Sequence, residues 1–398
     1  MINILFVDDE PNILDGLQRM LRSMRHEWNM LFAQSGFDAL RMMSEQPIDV
    51  IVSDMKMPGM DGAQLFQTVS ESYPHVVRII LSGYSEKEIN MRSVGTAHQY
   101  LSKPCDSEGL KATITRVCAL RDLLTDENLR RLVSQLPTVP SLPMLYHELV
   151  DELGKEESSA KKVGEIVKQD IGMTVKILQI VNSAFFGLRR RISDSCEAVE
   201  FLGLDMIGSL TLGLGVISQF ESHTSGIFFA DLWAHSIAVG VMANKIAAAE
   251  NRERANDAFT AGLLHDIGKV VLAVNLPEKF SSVTQLVKQE NISITDAERY
   301  IFDSTHAEVG AYLLGLWGLP TQVVQAVAFH QVPSESQTDD FSPLTAVHVA
   351  NAVQEYMALP DTEKVEPKFD LEYLEHLGLL GRIPEWQEIY ADMPVLSV

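Results

Sequence analysis

The chain has 398 residues, 46% hydrophobic and 22% charged, enough for two or three ordinary globular domains that each bury a core. Its formal charge is −22, of which residues 1–120 carry −4 (11 basic against 15 acidic) and the remainder −18; so acidic a second region speaks against a nucleic-acid-binding output, which needs a basic face for phosphates. No apolar run is long enough to span a bilayer, and Cys105, Cys118 and Cys196, widely spaced and without a CxxC pair, fit free thiols in a reducing compartment.

The chain begins MINILFVDDEPN, with acids at Asp8 and Asp9 and no basic leader. This reads as a strand rather than a signal peptide, so the expected location is cytoplasmic. INILFV, DVIVS and VVRIILS are short, rich in branched residues and apolar on both faces, as buried parallel strands are; WNMLFA and HQYLS read as shorter strands. Helical patterns fall between them at 11–25, 36–45, 61–72, 85–92 and 107–120. The alternation predicts an α/β fold with a five-stranded parallel sheet flanked by helices. Helical spacing continues through 107–135, a connector over 121–135, until the prolines of LPTVPSLP break it. From 143 onward strand signals nearly vanish and helical periodicity dominates, predicting an all-α second region.

Asp8 and Asp9 end the first strand pattern, Asp54 the third, Ser82 the fourth and Lys103 the fifth. In a parallel sheet these positions converge on the carboxyl edge, where such folds bind ligands. Three crowded carboxylates repel unless a cation joins them, and Mg2+ suits an all-oxygen site. Asp54 can then act as a carboxylate nucleophile toward a phosphoryl group, with Lys103 pairing its charge and the Ser82 hydroxyl hydrogen-bonding to it. With the SDMKMPGMDG segment around Asp54, LSG at Ser82, Tyr100 and Lys103-Pro104, residues 1–120 resemble the receiver domain of two-component response regulators. The resemblance implies a flavodoxin-like fold, phosphorylation of Asp54 by a histidine kinase, the Lys56 backbone carbonyl as a further Mg2+ ligand, and Ser82 with Tyr100 as a switch pair.

In the second region His235 lies in LWAHSIAVG, His265 and Asp266 in AGLLHDIGKVV, His306 opens HAEVGAYLL and His330 closes AVAFH. Imidazole and carboxylate together suit Zn, Mn or Fe. His98 and His147 stand alone and are assigned structural roles. Together with TVPSLPMLYHEL, VKQDIGMTVKILQIVNSAFFG, AVEFLGLDMIGSLTLG and HAEVGAYLLGLWGLP, these segments resemble HD-type metallohydrolases, and more closely their HDOD relatives, over about 136–352. That resemblance implies an all-helical regulatory domain that signals by contacting other proteins without catalysis. His235, His265 and Asp266 match three first-metal positions, but the fourth, an aspartate in the family, is Asn351. His306 and His330 match second-metal positions, yet Gln331 replaces a paired His and no GYP tripeptide follows. Losing anionic ligands weakens a divalent site, so this reads as a degenerate metal site.

The expected protein is therefore a response regulator: a receiver (1–120), a helical connector (121–135), an HDOD-like output (136–352) and a helical extension (353–398) with no legible chemistry. Expected partners are a histidine kinase and a downstream signalling protein, with no nucleic acid or membrane, and with homodimerisation as one way of relaying the signal. The expected cofactor is Mg2+ at the receiver; a transition metal in the helical region belongs to the alternative reading. The alternative is a phosphorylation-gated metal-dependent phosphohydrolase acting on a nucleotide or cyclic dinucleotide.

Overall fold

The structure, a computed structural model, describes residues 2–73, 76–83, 97, 99–103, 110–111, 114–115, 129, 132–133, 136, 143–155, 157–183, 186, 188, 190–220, 226–359 and 366–391. The chain divides into two compact units, one of Met1–Ser141 with Tyr312–Leu319 and the other of Leu142–Ala311 with Pro320–Val398. The expected helix at 85–92 and nearly all of the 107–135 stretch lie outside the described residues.

The first unit holds β1 (Ile2–Val7), α1 (Pro11–Met20), β2 (Trp28–Ala33), α2 (Gly36–Glu45), β3 (Val50–Asp54), α3 (Gly62–Ser72), β4 (Val77–Gly83) and β5 (Gln99–Lys103). The five strands form one sheet in the order β2-β1-β3-β4-β5, with every neighbouring pair parallel. This is the five-stranded parallel sheet that the apolar runs predict. Side chains alternate across a strand. Ile4, Phe6, Val50, Val52, Ile79 and Leu81 pack on one face with Leu14 and Leu17 of α1 and with Leu110 and Ile114. Leu5, Val7, Ile51 and Ile80 pack on the other with Ala39 and Met43 of α2 and Leu65, Phe66 and Val69 of α3. Two buried faces explain why these strands read as continuous apolar runs. The pattern over 11–25 is not one helix: α1 ends at Met20, and a 3-10 turn at Arg22–Met24 follows the fully buried Leu21 and leads the chain back to β2.

Among the described residues the rest of the chain contains helices only: α4 (Met144–Leu153), α5 (Ala160–Val167), α6 (Ile171–Val181), α7 (Ser195–Leu202), α8 (Leu204–Phe220), α9 (Gly226–Glu250), α10 (Ala255–Leu264), α11 (Ile267–Asn275), α12 (Pro277–Glu290), α13 (Ile294–Phe302), α14 (His306–Leu316, of which His306–Ala311 belong to the second unit), α15 (Thr321–Phe329), α16 (Pro343–Ala358), α17 (Leu371–His376) and α18 (Ile383–Ala391), with short 3-10 turns. Among these residues no single helix is long and apolar enough to cross a membrane. At the centre, α9 packs against α10 and α16, and α10 against α15 and α16.

Two glycine contacts set this centre. A Cβ on Gly262 of α10 would stand 2.8 Å from the Cα of Gly240, so α9 and α10 meet backbone to backbone. A Cβ on Gly268 would collide with the His306 carbonyl and stand 2.9 Å from the Gly310 nitrogen, so the starts of α11 and α14 touch. The C-terminal residues pack on the same unit: Trp386 is 1% exposed, and its Nε1 donates to Glu250 Oε1 at 3.0 Å beside the Arg382 guanidinium. The Gly268→Ala variant is expected to lose roughly 1–3 kcal/mol or more of stability, as overpacked interiors do. Chemical denaturation monitored on the helical signal checks this; an unchanged midpoint would contradict the close packing of α11 on α14.

Candidate functional site

In the first unit the strand register does the positioning. Val7 of β1 pairs with Ser53 of β3, so the next residues, Asp8 and Asp54, lie side by side at the carboxyl edge. Lys103 ends β5 at the same edge. Its ammonium lies 3.0 Å from Asp8 Oδ2 and donates to Asp54 Oδ1. The second Asp54 oxygen, Oδ2, accepts the backbone N–H of Lys56 at 2.8 Å, and Asp8 Oδ1 accepts that of Glu10 at 2.9 Å. Asp8 and Asp54 are buried and Asp9 is half-buried. Burial pushes the Asp54 carboxyl up from its ordinary value, although Lys103 and the Lys56 amide pull the other way. Burial works against the charge on Lys103, but Asp54 and Asp8 outweigh it and raise its pKa. Two buried carboxylates thus share one ammonium, with a third acid beside them, and that all-oxygen donor set fits a hard divalent cation. Ser82 and Tyr100 lie on β4 and β5, where Ser82 pairs with Ser102 and Tyr100 with Ile80; their side chains lie outside those described.

In the second unit the six residues singled out in the sequence meet at one point. His235 comes from α9, His265 and Asp266 from the break between α10 and α11, His306 from the first position of α14, His330 from the end of α15 and Asn351 from α16. Asp266 is 1% exposed, and its two oxygens face different neighbours. Oδ2 lies 2.8 Å from Lys269 Nζ, 3.4 Å from His265 Nε2 and 3.9 Å from His235 Nε2. Oδ1 lies 3.3 Å from His306 Nε2 and 3.9 Å from His330 Nε2. The two triads His235–His265–Asp266 and Asp266–His306–His330 each bring their ligand atoms within 4.8 Å of one another, which metal coordination requires.

The ring tautomers follow from the outer partners. Gly262 and Val327 offer carbonyls, 2.7 Å from His265 Nδ1 and 2.8 Å from His330 Nδ1, and a carbonyl only accepts. Both Nδ1 atoms therefore donate, and both neutral rings aim a bare Nε2 lone pair inward. His306 Nδ1 donates to Glu298 Oε2 at 2.7 Å, and the same oxygen accepts the His306 backbone N–H at 2.9 Å. Imidazoles held this way by their second nitrogen are the usual arrangement of metal-ligating histidines. His235 differs, because its Nε2 faces the Asn351 amide oxygen at 3.0 Å and donates to it, while Asn351 Nδ2 donates to Glu355 at 3.0 Å.

Acceptors therefore outnumber donors. His265 Nε2, Asp266 Oδ1 and Glu298 Oε1 are buried without a hydrogen-bond partner, which is costly unless a cation sits among them. Burial lowers His265 to about 3, pushes His330 well below the usual imidazole range and lowers His235. Burial opposes the charge on Asp266, but His265, Lys269 and His306 hold it well below the carboxylate range. His306 alone is raised: burial works against its proton, and Glu298 and Asp266 outweigh that.

Sequence reading missed two residues here. Glu298 is fully buried, and its only signal is its place on the apolar stripe of α13 with Ala297 and Phe302. His348 donates through Nδ1 to the His330 carbonyl at 2.8 Å and accepts the Asp370 N–H at 2.9 Å, tying the C-terminal extension to the cluster.

The HDOD domain family matches residues 139–333, and the response regulator receiver domain family matches residues 4–115. The chain is 32% identical over 158 residues to the hydrogenase transcriptional regulatory protein HoxA of Cupriavidus necator, covering 39% of this chain and 31% of that protein. It spans less than half the length of the curated relatives it matches most strongly. An HDOD domain protein of unknown function from Geobacter sulfurreducens superposes over 71% of this chain and 99% of that one, at 23% identity and a TM-score of 0.51. A candidate phosphohydrolase from Shewanella amazonensis covers 67% and 95%, at 21% identity and a TM-score of 0.51. These two structures share the fold of the helical unit.

The histidine cluster makes the helical unit acid-sensitive. His265 sits near 6.5 when unfolded and about 3 when folded, so its neutral burial costs nothing above pH 6.5. Below that pH the unfolded chain takes up a proton that the folded one refuses, and stability falls by roughly 1.4 kcal/mol per pH unit from this group alone until about pH 3. His235, His330 and His348, all lowered, act in the same direction. Asp266, lowered from its carboxylate value, adds stability that is lost further down the acid range. His306, raised, opposes them, since its contribution is full below pH 6.5 and lost above its folded pKa. Urea unfolding in the presence of a chelator is expected to give a midpoint that drops steadily from pH 6.5 to 4; a level midpoint over that range would contradict the buried neutral rings.

Proposed function

The chain joins a response regulator receiver domain to an HDOD domain, and from that premise we propose that Asp54 accepts a phosphoryl group from a histidine kinase and thereby controls the helical unit, which acts on a downstream protein by contact rather than catalysis. The observation that carries this reading is the meeting of Asp8, Asp54 and Lys103 at the carboxyl edge of the sheet. A carboxylate oxygen of Asp54 attacks phosphorus, the bond from phosphorus to the donor imidazole breaks, and an acyl phosphate forms on Asp54. Asp8, Asp9, Asp54 and the Lys56 carbonyl would hold Mg2+, which neutralises charge on the transferring group. Lys103 already bridges both buried acids, so its ammonium can follow the charge from the Asp54 carboxylate to the phosphoryl oxygens while keeping Asp8. Ser82 and Tyr100 are the switch pair that reports the new charge.

In this reading residues 1–120 are the receiver, 121–135 a connector, 136–352 the output and 353–398 its extension. Repacking between units or pairing of two copies relays the signal. The −18 charge beyond residue 120 supports a protein partner over nucleic acid.

A second reading is favoured by the orphaned His265 Nε2 and Asp266 Oδ1: the helical unit binds a divalent transition metal, which would serve hydrolysis of a phosphoester. A purified chain that takes up no such metal removes it.

The first reading is tested by incubating the full chain with acetyl phosphate and Mg2+ and measuring intact mass. Wild type is expected to gain one phosphoryl group, Asp54→Asn none, and Lys103→Ala far less than wild type. Equal incorporation in Asp54→Asn would place the acceptor elsewhere and overturn the proposal.

A further inference from the structure

His235 and His265 stand side by side, ring centres 5.1 Å apart, yet offer the cluster opposite chemistry. His265 donates outward through Nδ1 to the Gly262 carbonyl, and its Nε2 is bare and without a partner. His235 turns its Nε2 to the Asn351 amide oxygen at 3.0 Å. Asn351 is 3% exposed, and the other end of its amide, Nδ2, lies 3.0 Å from Glu355 Oε1, one turn further along α16. A carboxylate only accepts, so the NH2 end of the amide must face Glu355. The amide oxygen is left for His235 and it too only accepts, so His235 Nε2 carries the proton. A neutral imidazole has one ring proton, and Nε2 then has no lone pair to give.

We infer that Glu355 is a positioning residue: by fixing the Asn351 amide it holds His235 as the Nε2–H tautomer and withdraws that ring from the ligands a metal in the cluster could use. The inference rests on the metal reading above for its consequence, and deepens it by naming a residue outside the six singled out in the sequence. In that reading the amide at position 351 costs the cluster a negative charge. Here it costs an imidazole as well, since Nε2 is the His235 nitrogen that faces Asp266, 3.9 Å from Oδ2. To ligate, His235 would have to move its proton to Nδ1 and the amide would have to turn over, setting its oxygen against the Glu355 carboxylate. Glu355 is itself exposed, so a substitution there leaves the buried face of α16 untouched.

The test reads histidine tautomers by nitrogen NMR on the full chain, carrying isotope-labelled histidine, freed of metal with a chelator and held at about pH 8, where an ordinary imidazole is neutral. The signals of His235 and His265 are identified by their loss in His235→Gln and His265→Gln. Wild type is expected to show a protonated Nε2 at His235 and a bare Nε2 at His265. In Glu355→Gln the new amide donates as well as accepts, so the Asn351 amide is free to turn, and the His235 Nε2 signal is expected to shift toward the bare form. Added Zn2+ is expected to shift the His265 signals of wild type and to leave those of His235 in place. A bare His235 Nε2 in metal-free wild type, an unmoved His235 Nε2 in Glu355→Gln, or a His235 Nε2 that shifts when Zn2+ is added to wild type overturns the inference. If Zn2+ shifts no histidine at all, the metal reading fails, and the metal-free tautomers still decide the role given to Glu355.

Discussion

Asp266 is a carboxylate sealed in the interior of a helical unit with one ammonium at hydrogen-bond distance and imidazoles around it. A buried, unpaired carboxylate costs several kcal/mol. The surrounding architecture works against that cost. The glycine contact between α9 and α10 brings His235 beside His265, and Gly268 lets the start of α14 set His306 against Asp266. Backbone carbonyls and Glu298 then fix each ring through its other nitrogen. What remains is a pocket of acceptors aimed at one another, with the Lys269 ammonium against Asp266 offsetting part of the repulsion.

The receiver edge poses the same electrostatic problem in a more open form. Asp8 and Asp54 share the ammonium of Lys103, whose side chain keeps 26% of its surface exposed. A lysine at the rim of a sheet can change partners when charge arrives, whereas Lys269, with 14% exposed, is held against Asp266 by the helices around it. That difference is what the proposed transfer of a phosphoryl group to Asp54 needs, and it leaves the charge at Asp266 fixed in place. It also fits the proposed division between a first unit that switches and a helical unit that responds.

The sheet was legible because strands buried on both faces are apolar throughout, and β1, β3 and β4 have no solvent side to interrupt the pattern. Strand ends then carried the acids, so Asp8, Asp54 and Lys103 could be placed without contacts. The break of α1 at Met20 was less visible, since Leu21 continues the helical spacing while the backbone leaves the helix to reach β2. In the helical unit the spacing of His235, His265, His306, His330 and Asn351 was readable, but their pairing was not. A glutamate in an amphipathic helix is ordinarily solvated, so the place of Glu298 on the apolar stripe of α13 was too weak a signal to single it out. The tautomers depend on carbonyls three residues back, Gly262 for His265 and Val327 for His330, which any helix offers and only the closing of the bundle selects. The link from Asp370 through His348 to His330 joins residues 40 positions apart in the chain and left no local trace.

The most direct test of the account is hydrogen exchange on the full chain with and without beryllofluoride, a phosphoryl mimic, comparing wild type with Asp54→Asn. If Asp54 governs the helical unit, amides within 143–391 change their protection in wild type and not in the variant. If beryllofluoride alters amides of the first unit in wild type while those of 143–391 keep identical protection, the receiver switches without control of the helical unit, and the account is contradicted.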